Sequence, residues 1–250
     1  MIMRCLFAPM IALALVVMPA AAEEPPPLSG DGWISLFNGE DFTGWEVPED
    51  GPWAIVDGTI DCDPARSPGV GGDVWTEDEF GDFMLYAEWR ITDAPTIENL
   101  PLIAPDGAFV TDDEGNVVTV ERPNADSGIY LRGQSKAQVN IWNWPVGSGE
   151  VYGYRMDQSM PAEVRAGVTP RIAADNEIGE WNTFVITMIG DRLSVILNGE
   201  VVLDHAQLPG VAEEGPLALQ FHGSYNAETE EYGPASSLVQ FRNLYVKPLD

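Results

Sequence analysis

The strongest constraint on the fold is a series of short alternating apolar runs, each ended by residues that favour turns. The longest run spans 83–91, where every second residue is apolar and predicts the buried face of a strand: Phe83, Leu85, Ala87, Trp89 and Ile91. Asp57-Gly58 and Asn198-Gly199 join neighbouring runs and are typical of two-residue hairpin turns. No stretch shows a long helical period. We therefore predict an all-β fold with two antiparallel sheets packed face to face.

The first residues have the features of a secretory signal peptide. A basic start that includes Arg4 precedes an apolar run over 6–18, which is too short to span a membrane comfortably. The small residues at 20–22 fit a cleavage site. We predict a signal peptide over 1–22, a disordered leader over 23–30, and a periplasmic or secreted mature protein with no membrane insertion after cleavage.

Composition narrows the partners and the domain count. The chain has 40 acidic and 12 basic residues, a formal net charge of −28, which disfavours binding to nucleic acid and to anionic membranes. Cleavage of the leader leaves Cys62 as the remaining cysteine, so no internal disulfide can form. We predict one β-sandwich domain over 31–250, with the Pro- and Asp-rich stretch 93–123 as an insertion.

The stretch 124–155 carries the clearest indication of a binding surface. Alternation over 137–142 puts aliphatic side chains on one face of a strand and amide and indole groups on the other: Gln138, Asn140 and Trp142. Amides hydrogen-bond sugar hydroxyls and an indole stacks on a pyranose ring, so we predict a carbohydrate partner at this face. Two further residues extend the predicted substrate-binding surface: Tyr152 and Arg155.

Ordered blocks along the chain resemble the 3-keto-disaccharide hydrolase domain family. The opening block is LFNGEDFTGW at 36–45. Later blocks follow in the family's order: SGIYLRG at 127–133, EWN at 180–182, LNG at 197–199, LQFHG at 219–223 and FRNL at 241–244. The resemblance covers nearly all of 31–249 and implies a concanavalin A-like jelly-roll sandwich in secreted or periplasmic bacterial proteins.

The chain departs from the family pattern in the strand that carries the amides. Members of the family typically read Tyr-Glu-x-Gln-Ile-x-Asp there, whereas this chain has Gln138 in place of the Glu and Asn143 in place of the Asp. Any chemical role that those acids have in relatives is therefore either absent from this chain or carried out by other residues. Glu150 and Asp157 are the nearest replacements along the sequence.

The resemblance implies a reaction on a sugar that carries a ketone at C3. The ketone acidifies the hydrogen at C2, a base removes that hydrogen, and the group on C1 leaves. Water then adds, for net hydrolysis. No Gly-rich dinucleotide-binding motif is present in the sequence, so another enzyme must make the ketone.

Three residues are candidates for that chemistry, and each has a structural alternative. We predict that all three converge with the substrate-binding residues on one concave sheet face, which His222 must reach from a distant strand. His222 could be the base, because the charge of histidine changes near neutral pH, or it could be a hydrogen-bonded structural residue. Arg132 could stabilise an oxyanion or form an internal ion pair. Glu150 could act as an acid or base, or it could be an ordinary solvated carboxylate.

One aromatic cluster and one acidic cluster also have both a functional and a structural interpretation. Trp142 and Trp144 could form a stacking platform, although aromatic residues of a sandwich usually belong to its core; the amide neighbours of Trp142 favour stacking. The acidic run 112–116 lacks the length and spacing of a calcium loop, so it predicts a solvated hairpin tip. No cofactor or metal is predicted.

Three functions are compatible with these patterns. The first is an enzyme that hydrolyses 3-keto-glycosides. The second is a lectin-like carbohydrate-binding domain without catalysis, which the loss of the usual Glu favours. The third is a protein-interaction module of the cell envelope, because a sandwich face can also bind a peptide.

Overall fold

The structure is a computed structural model that describes residues 32–223, 225–229, 231–232 and 238–249. The predicted signal peptide and leader lie outside these described residues. Within the described part of the chain, no helix combines the length and the apolar character needed to cross a bilayer.

The larger of two main sheets has eight strands, numbered here along the chain. They are β1 (Ile34–Ser35), β3 (Trp53–Val56), β4 (Thr59–Cys62), β6 (Phe83–Asp93), β11 (Asn182–Ile189), β12 (Arg192–Leu197), β13 (Glu200–Gln207) and β17 (Leu238–Pro248). Their order is β13-β12-β11-β6-β17-β4-β3, with β1 also paired to β17, and every pairing is antiparallel.

The smaller main sheet has five strands in the order β10-β9-β14-β5-β2. They are β2 (Trp45–Glu46), β5 (Val74–Phe80), β9 (Asp126–Leu131), β10 (Gln134–Trp142) and β14 (Gly215–Leu219). All four pairings are antiparallel. The predicted all-β class with antiparallel sheets is therefore confirmed.

Turn chemistry sets the register of the hairpins. Asp57 and Gly58 both have positive φ, at 49° and 74°, and they join β3 to β4. Asn198 and Gly199, at 52° and 88°, join β12 to β13 in the same way. Positive φ at both central residues matches the right-handed twist of the flanking strands, so Asn, Asp and Gly are favoured there.

The two main sheets enclose one apolar core. The alternating face of β6 is buried as predicted, with Phe83 and Ala87 fully buried and Ile91 6% exposed. The aliphatic face of β10 is also buried, with Ala137, Val139 and Ile141 inaccessible to solvent. Because side chains alternate along a strand, burial of these residues turns Gln138, Asn140 and Trp142 to the outer face of the smaller sheet.

Residues 96–124 form a separate hairpin outside both main sheets. Its strands are β7 (Thr96–Pro101) and β8 (Thr119–Asn124), and isolated bridges close two smaller turns between them, one joining Ile103 to Phe109 and one joining Thr111 to Val117. A second small hairpin pairs β15 (Tyr225–Asn226) with β16 (Glu231–Tyr232). The 96–124 hairpin occupies the stretch predicted as an insertion, and it leans over the loop that follows β10, as the contacts described below show.

Short helices occur only in loops of the described chain and were not predicted from the sequence. They are a 3₁₀ turn at Pro64–Arg66, α1 (Tyr152–Arg155) and α2 (Ala162–Gly167). The longest spans six residues, too few to produce a recognisable amphipathic period.

Candidate active site on the outer face of the smaller sheet

The register of β9, β10 and β14 assembles the outer face of the smaller sheet. Gln138 lies opposite Tyr130, and Trp142 lies opposite Asp126. Ala218 lies beside Tyr130 on one side and opposite Trp75 on the other. Residues two apart on these strands share a face, so carboxylate, amide and aromatic side chains lie together on this surface.

An amide network fixes the centre of this face. The Gln138 Nε2 donates to Gln220 Oε1 at 2.5 Å and to the Ser127 carbonyl at 3.1 Å. The Ser127 hydroxyl in turn donates to the Gln220 carbonyl at 2.9 Å. Gly128 leaves room for this arrangement, because a Cβ at that position would overlap the Gln138 side chain. The residue that replaces the family's Glu is thus locked into a neutral, mostly buried network.

A carboxyl and an imidazole meet where β9 begins. The His222 Nε2 lies 3.4 Å from Asp126 Oδ2, and the side chains are 46% and 14% exposed, respectively. Burial raises the pKa of Asp126 to about 8. Burial also lowers the pKa of His222 below its usual value, opposed in part by the charge of Glu98. At neutral pH this places a protonated carboxyl, a proton donor, beside a neutral imidazole, a proton acceptor.

Asp73 adds a second unusual carboxyl on the same side of the sheet. Its Oδ1 accepts a hydrogen bond from the Phe221 amide at 2.9 Å, and burial raises its pKa to about 6. Burial, reinforced by the charge of Asp73, also raises the pKa of Tyr130. The Tyr130 hydroxyl therefore stays protonated and can donate. The Trp75 ring packs at 5.7 Å from the Tyr130 ring.

Sequence reasoning missed Asp126, Asp73 and Gln220. Asp126 could have been found, since it shares strand parity with Gly128 and Tyr130 in the block used for the family resemblance. Gln220 could also have been found, because it lies in the LQFHG block of the same resemblance, whereas Asp73 carries no comparable signal. Asp73 precedes β5, and it reaches the face only through pairing of distant strands.

His222 reaches the predicted face, although it lies three residues beyond the end of β14 instead of on a strand. Its neighbour Asp126 pairs across the ladder with Trp142. His222 therefore comes from a distant part of the chain to the end of the face that carries Trp142, which was the least certain part of the predicted arrangement to follow from strand parity. Its catalytic role stays a prediction.

The predicted placement of Arg132 on this face is wrong. Arg132 sits in the turn after β9 with a φ of 50°, and its side chain is almost fully buried. It pairs with Asp82 at 2.8 Å and donates to the carbonyls of Gly81, Gly190 and Ala212. The left-handed turn ends the strand alternation, so parity with Tyr130 no longer determines where the side chain lies.

The predicted open placement of Glu150 and Arg155 is also wrong. The loop after β10 does fold back, with the Asn140 amide donating to the Glu150 carbonyl at 2.9 Å. However, the Glu150 carboxylate and the Arg155 guanidinium pair with each other at 0% and 1% exposure. Arg155 also donates to the Gly107 carbonyl at 3.3 Å and lies 5.1 Å from the Phe109 ring, both in the 96–124 hairpin. Burial lowers the pKa of Arg155 to about 10.

Asp157, the other suggested replacement for the missing acids, lies away from the outer face. It pairs with Lys136 at 2.6 Å and accepts from the amide and hydroxyl of Ser159. The Lys136 and Ser159 hydrogen bonds hold the pKa of Asp157 well below its usual value. Asp157 is therefore a charged surface carboxylate and not a candidate proton donor at neutral pH.

The prediction that Trp142 offers a stacking surface is wrong, although its strand face was predicted correctly. Trp142 is 2% exposed, because the Trp144 ring stacks on it at 4.4 Å with an interplanar angle of 5°. Asn140 is 4% exposed, and its Oδ1 accepts from the Tyr152 amide at 3.5 Å. Tyr152 itself stays exposed, with its ring edge-on to both tryptophans. Trp144 therefore has the outer, partly accessible indole.

The acidic run 112–116 forms the hairpin tip that was expected. The Asp112 Oδ1 accepts from the amides of Glu114 and Asn116, both at 2.9 Å. In the described residues, no group of three or more His, Cys, Asp or Glu side chains is arranged to hold a metal ion.

The fold is an antiparallel β-sandwich with polar and aromatic side chains gathered on the outer face of its smaller sheet. Over residues 32–247 the chain matches the family model described as the 3-keto-alpha-glucoside-1,2-lyase-like domain. The chain belongs to this family, so the predicted family is confirmed. The description of the family points to an enzyme that acts on sugars, in agreement with the expectation from the sequence.

A curated relative is similar to part of the chain, and two solved structures share its fold. The chain is 33% identical over 76 residues to a 3-keto-disaccharide hydrolase from Bacteroides thetaiotaomicron, a match that spans 26% of each protein. Two crystal structures of candidate glycosyl hydrolases from Parabacteroides distasonis ATCC 8503 share the fold. One has 22% identity, a TM-score of 0.56 and coverage of 87% of this chain and 84% of its own. The other has 18% identity, a TM-score of 0.53 and coverage of 88% and 94%.

Proposed function

We propose that the protein cleaves 3-keto-glycosides by eliminating the group on C1 and then adding water, with His222 and Asp126 as the proton-transfer pair. The observation that carries the proposal is the contact between these two side chains at the edge of the outer face. The proposal also accommodates both names among the relatives, because an elimination is a lyase step and the addition of water completes a hydrolysis.

In the first step, the neutral His222 imidazole takes the proton from C2, which the neighbouring ketone has acidified. The electron pair of the C2–H bond forms an enolate, and the C1–O bond then breaks. The protonated Asp126 carboxyl gives its proton to the departing oxygen. Water then adds across the new C1=C2 bond, so the products are a 3-keto sugar and a free alcohol or sugar.

The amide and aromatic groups would hold the sugar over this pair. The Tyr130 hydroxyl, which stays protonated, is suited to donate to the enolate oxygen. Gln138 and Gln220 form a fixed amide floor, and such preorganised groups need little rearrangement during the reaction.

The decisive experiment follows p-nitrophenyl 3-keto-α-glucoside by NMR in D₂O. We expect release of p-nitrophenol and one deuterium at C2 of the 3-keto sugar, because the proton removed there is replaced from solvent. The matched control is unoxidised p-nitrophenyl α-glucoside, which should stay intact because its C2 hydrogen is not acidic. Cleavage of the 3-keto substrate without deuterium at C2 would contradict the elimination mechanism.

A second candidate function is sugar binding without catalysis. It is favoured by Gln138, an amide locked by hydrogen bonds where family members typically have Glu. Saturable binding of unoxidised glucosides, together with no turnover of the 3-keto substrate, would support this function over the enzyme.

We also propose export with removal of the signal peptide near Ala22, as the sequence predicts. Mass measurement of the protein isolated from its native host should give an N-terminus near Glu23. Recovery of a chain that retains residues 1–22 in the cytoplasm would contradict export.

A further inference from the structure

A second polar cleft lies beside the stacked tryptophans. It has a volume of about 440 Å³, within the range of small-molecule sites. Its lining combines one indole, a guanidinium, amides and carboxylates: Arg122, Asn143, Trp144, Asp175, Asn176 and Glu177. This composition is the one that sequence analysis associated with sugar binding, but it occurs at a different place from the predicted face.

The Trp144 ring is held rigidly for stacking. One face of the indole lies on Trp142 at 4.4 Å, and the edge contact with Tyr152 has a centroid distance of 6.3 Å and an angle of 82°. The Trp142 indole is itself fixed by donation from its Nε1 to the Gly147 carbonyl at 2.8 Å. An aromatic ring with one packed and one accessible face loses little freedom when a ligand stacks on it.

Two acceptors at the cleft have no donor among the described residues. They are the Oδ1 atoms of Asn143 and Asp175, both removed from solvent. The other Asp175 oxygen accepts from the Ser148 amide at 3.0 Å, which fixes the carboxyl in place. A buried acceptor without a donor is destabilising, so a ligand hydroxyl that reaches it through a small local adjustment would relieve that penalty.

The chemistry of the lining favours a sugar over a cation. Oxygen atoms of Asn143 and Asp175 could attract a metal ion, but among the described residues no group of three or more His, Cys, Asp or Glu side chains is arranged to hold one, and the Arg122 guanidinium lines the same cleft. Arg122 can instead donate to ring and hydroxyl oxygens while the acceptors take sugar hydroxyl protons. The Trp144 indole matches the apolar face of a pyranose.

A continuous set of contacts links this cleft to the proton-transfer pair. Trp144 stacks on Trp142, and Trp142 lies directly across the ladder from Asp126. The backbone amide of Asn143 donates at 3.3 Å to the carbonyl of Ala125, the residue before Asp126. The cleft therefore adjoins the end of the outer face at which the bond to C1 would break.

We infer that the Trp144 cleft is a second sugar subsite, which binds the ring attached through C1 to the 3-keto sugar. The assignment of this ring as the leaving group rests on the proposed function. It assigns stacking on this ring to Trp144 and polar contacts to Arg122, Asn143 and Asp175.

Kinetics on two substrates test the subsite. With 3-keto-trehalose, Trp144→Ala should raise KM about 10- to 100-fold, while KM for methyl 3-keto-α-glucoside changes less than about twofold. Trp144→Phe keeps an aromatic ring, so its KM for 3-keto-trehalose should lie between those of wild type and Trp144→Ala. This variant also shows whether the effect of Trp144→Ala comes from misfolding. Trp33→Ala, on the larger-sheet side of the molecule, is the matched control and should behave as wild type. An equal loss on both substrates, or no loss on either, would overturn the subsite.

A binding measurement separates failure of the subsite from failure of the proposed reaction. Titration with unoxidised trehalose, followed by calorimetry, needs no turnover. Wild type should bind, and Trp144→Ala should bind about 10- to 100-fold more weakly. If neither substrate is cleaved but this difference is seen, the reaction is wrong and the subsite stands. If wild type does not bind trehalose, or the variant binds equally well, the subsite is wrong.

Discussion

Two pairs that each join a carboxyl to a basic side chain differ in their access to solvent. Glu150 and Arg155 are fully enclosed, whereas the His222 side chain of the Asp126–His222 pair is 46% exposed. The first pair lies under the 96–124 hairpin, where Gly107 and Phe109 contact Arg155. The second lies at the edge of the outer face. Access to solvent and substrate therefore separates a structural ion pair from a candidate catalytic pair.

The partner of each carboxyl determines what its proton can do. An arginine remains charged at neutral pH, so the Glu150–Arg155 pair contains no group that can accept a proton from a substrate near neutrality by way of its cation. A histidine titrates near neutrality, and burial brings the two pKa values of the Asp126–His222 pair into a range where protons can move. The sequence suggested Glu150 as the acid because it lies near the strand in which the family's acids are replaced. The sequence did not show that its partner is Arg155.

The largest expected effect separates the pairs by activity. His222→Ala should reduce turnover of a 3-keto-glycoside by roughly 10²- to 10⁴-fold, because it removes a general base. His205→Ala is the matched control, since His205 also contacts a carboxylate, Asp204, but is 78% exposed on the other sheet. Steady-state kinetics with p-nitrophenyl 3-keto-α-glucoside measure both. Equal activity of His222→Ala and wild type would remove the catalytic distinction between the two pairs.

The second effect separates the pairs by stability. Glu150→Ala should lower the free energy of unfolding by about 3–5 kcal/mol, because it leaves the buried Arg155 charge without its partner. The double variant Glu150→Leu with Arg155→Met should cost less than the single change, since no buried charge remains. Urea unfolding followed by tryptophan fluorescence measures both. If Glu150→Ala were as stable as wild type, the Glu150–Arg155 pair would not be sealed from solvent.

The third effect concerns the pH dependence of stability. The pKa of Asp126 is raised from about 3.9 in the unfolded chain to about 8, so the folded protein holds a proton that unfolding releases. The resulting stability is fully present below about pH 4 and is lost as pH rises towards 8. Asp126→Asn should flatten this decline in urea unfolding between about pH 6 and 8. A decline between about pH 4 and 6 should remain, because Asp73 has a raised pKa of about 6. An unchanged pH profile in the variant would contradict the assignment.

The smallest expected effect tests the amide floor that Gln138 and Gln220 form on the outer face. Gly128→Ala should lower the free energy of unfolding by about 1–3 kcal/mol, because the new Cβ displaces Gln138 from its hydrogen bonds to Ser127 and Gln220. Gly167→Ala, where no side chain lies within 3.9 Å of the new Cβ, is the control and should be neutral or slightly stabilising. Thermal unfolding of the two variants compares them. Equal melting temperatures would indicate that Gln138 relaxes without cost.

Local pattern predicted the sheets well because alternation and turn chemistry act over a few residues. The buried face of β6 and the common face of Gln138, Asn140 and Trp142 both follow from a two-residue period. The same rule failed at Arg132, since a left-handed residue ends the alternation there. It also gave no information on which parts of the outer face another segment would cover.

The sequence by itself determined the fold class, the hairpins, the family and the strand face on which polar groups collect. These depend on local backbone preferences and on blocks that are read in order. Only the tertiary structure decided that Trp142 is covered by Trp144, that Glu150 is sealed with Arg155, and that Asp126 meets His222. Each of these outcomes requires contact between segments whose approach depends on packing of the whole core. Burial, and with it every shifted pKa of the site, arises from that packing.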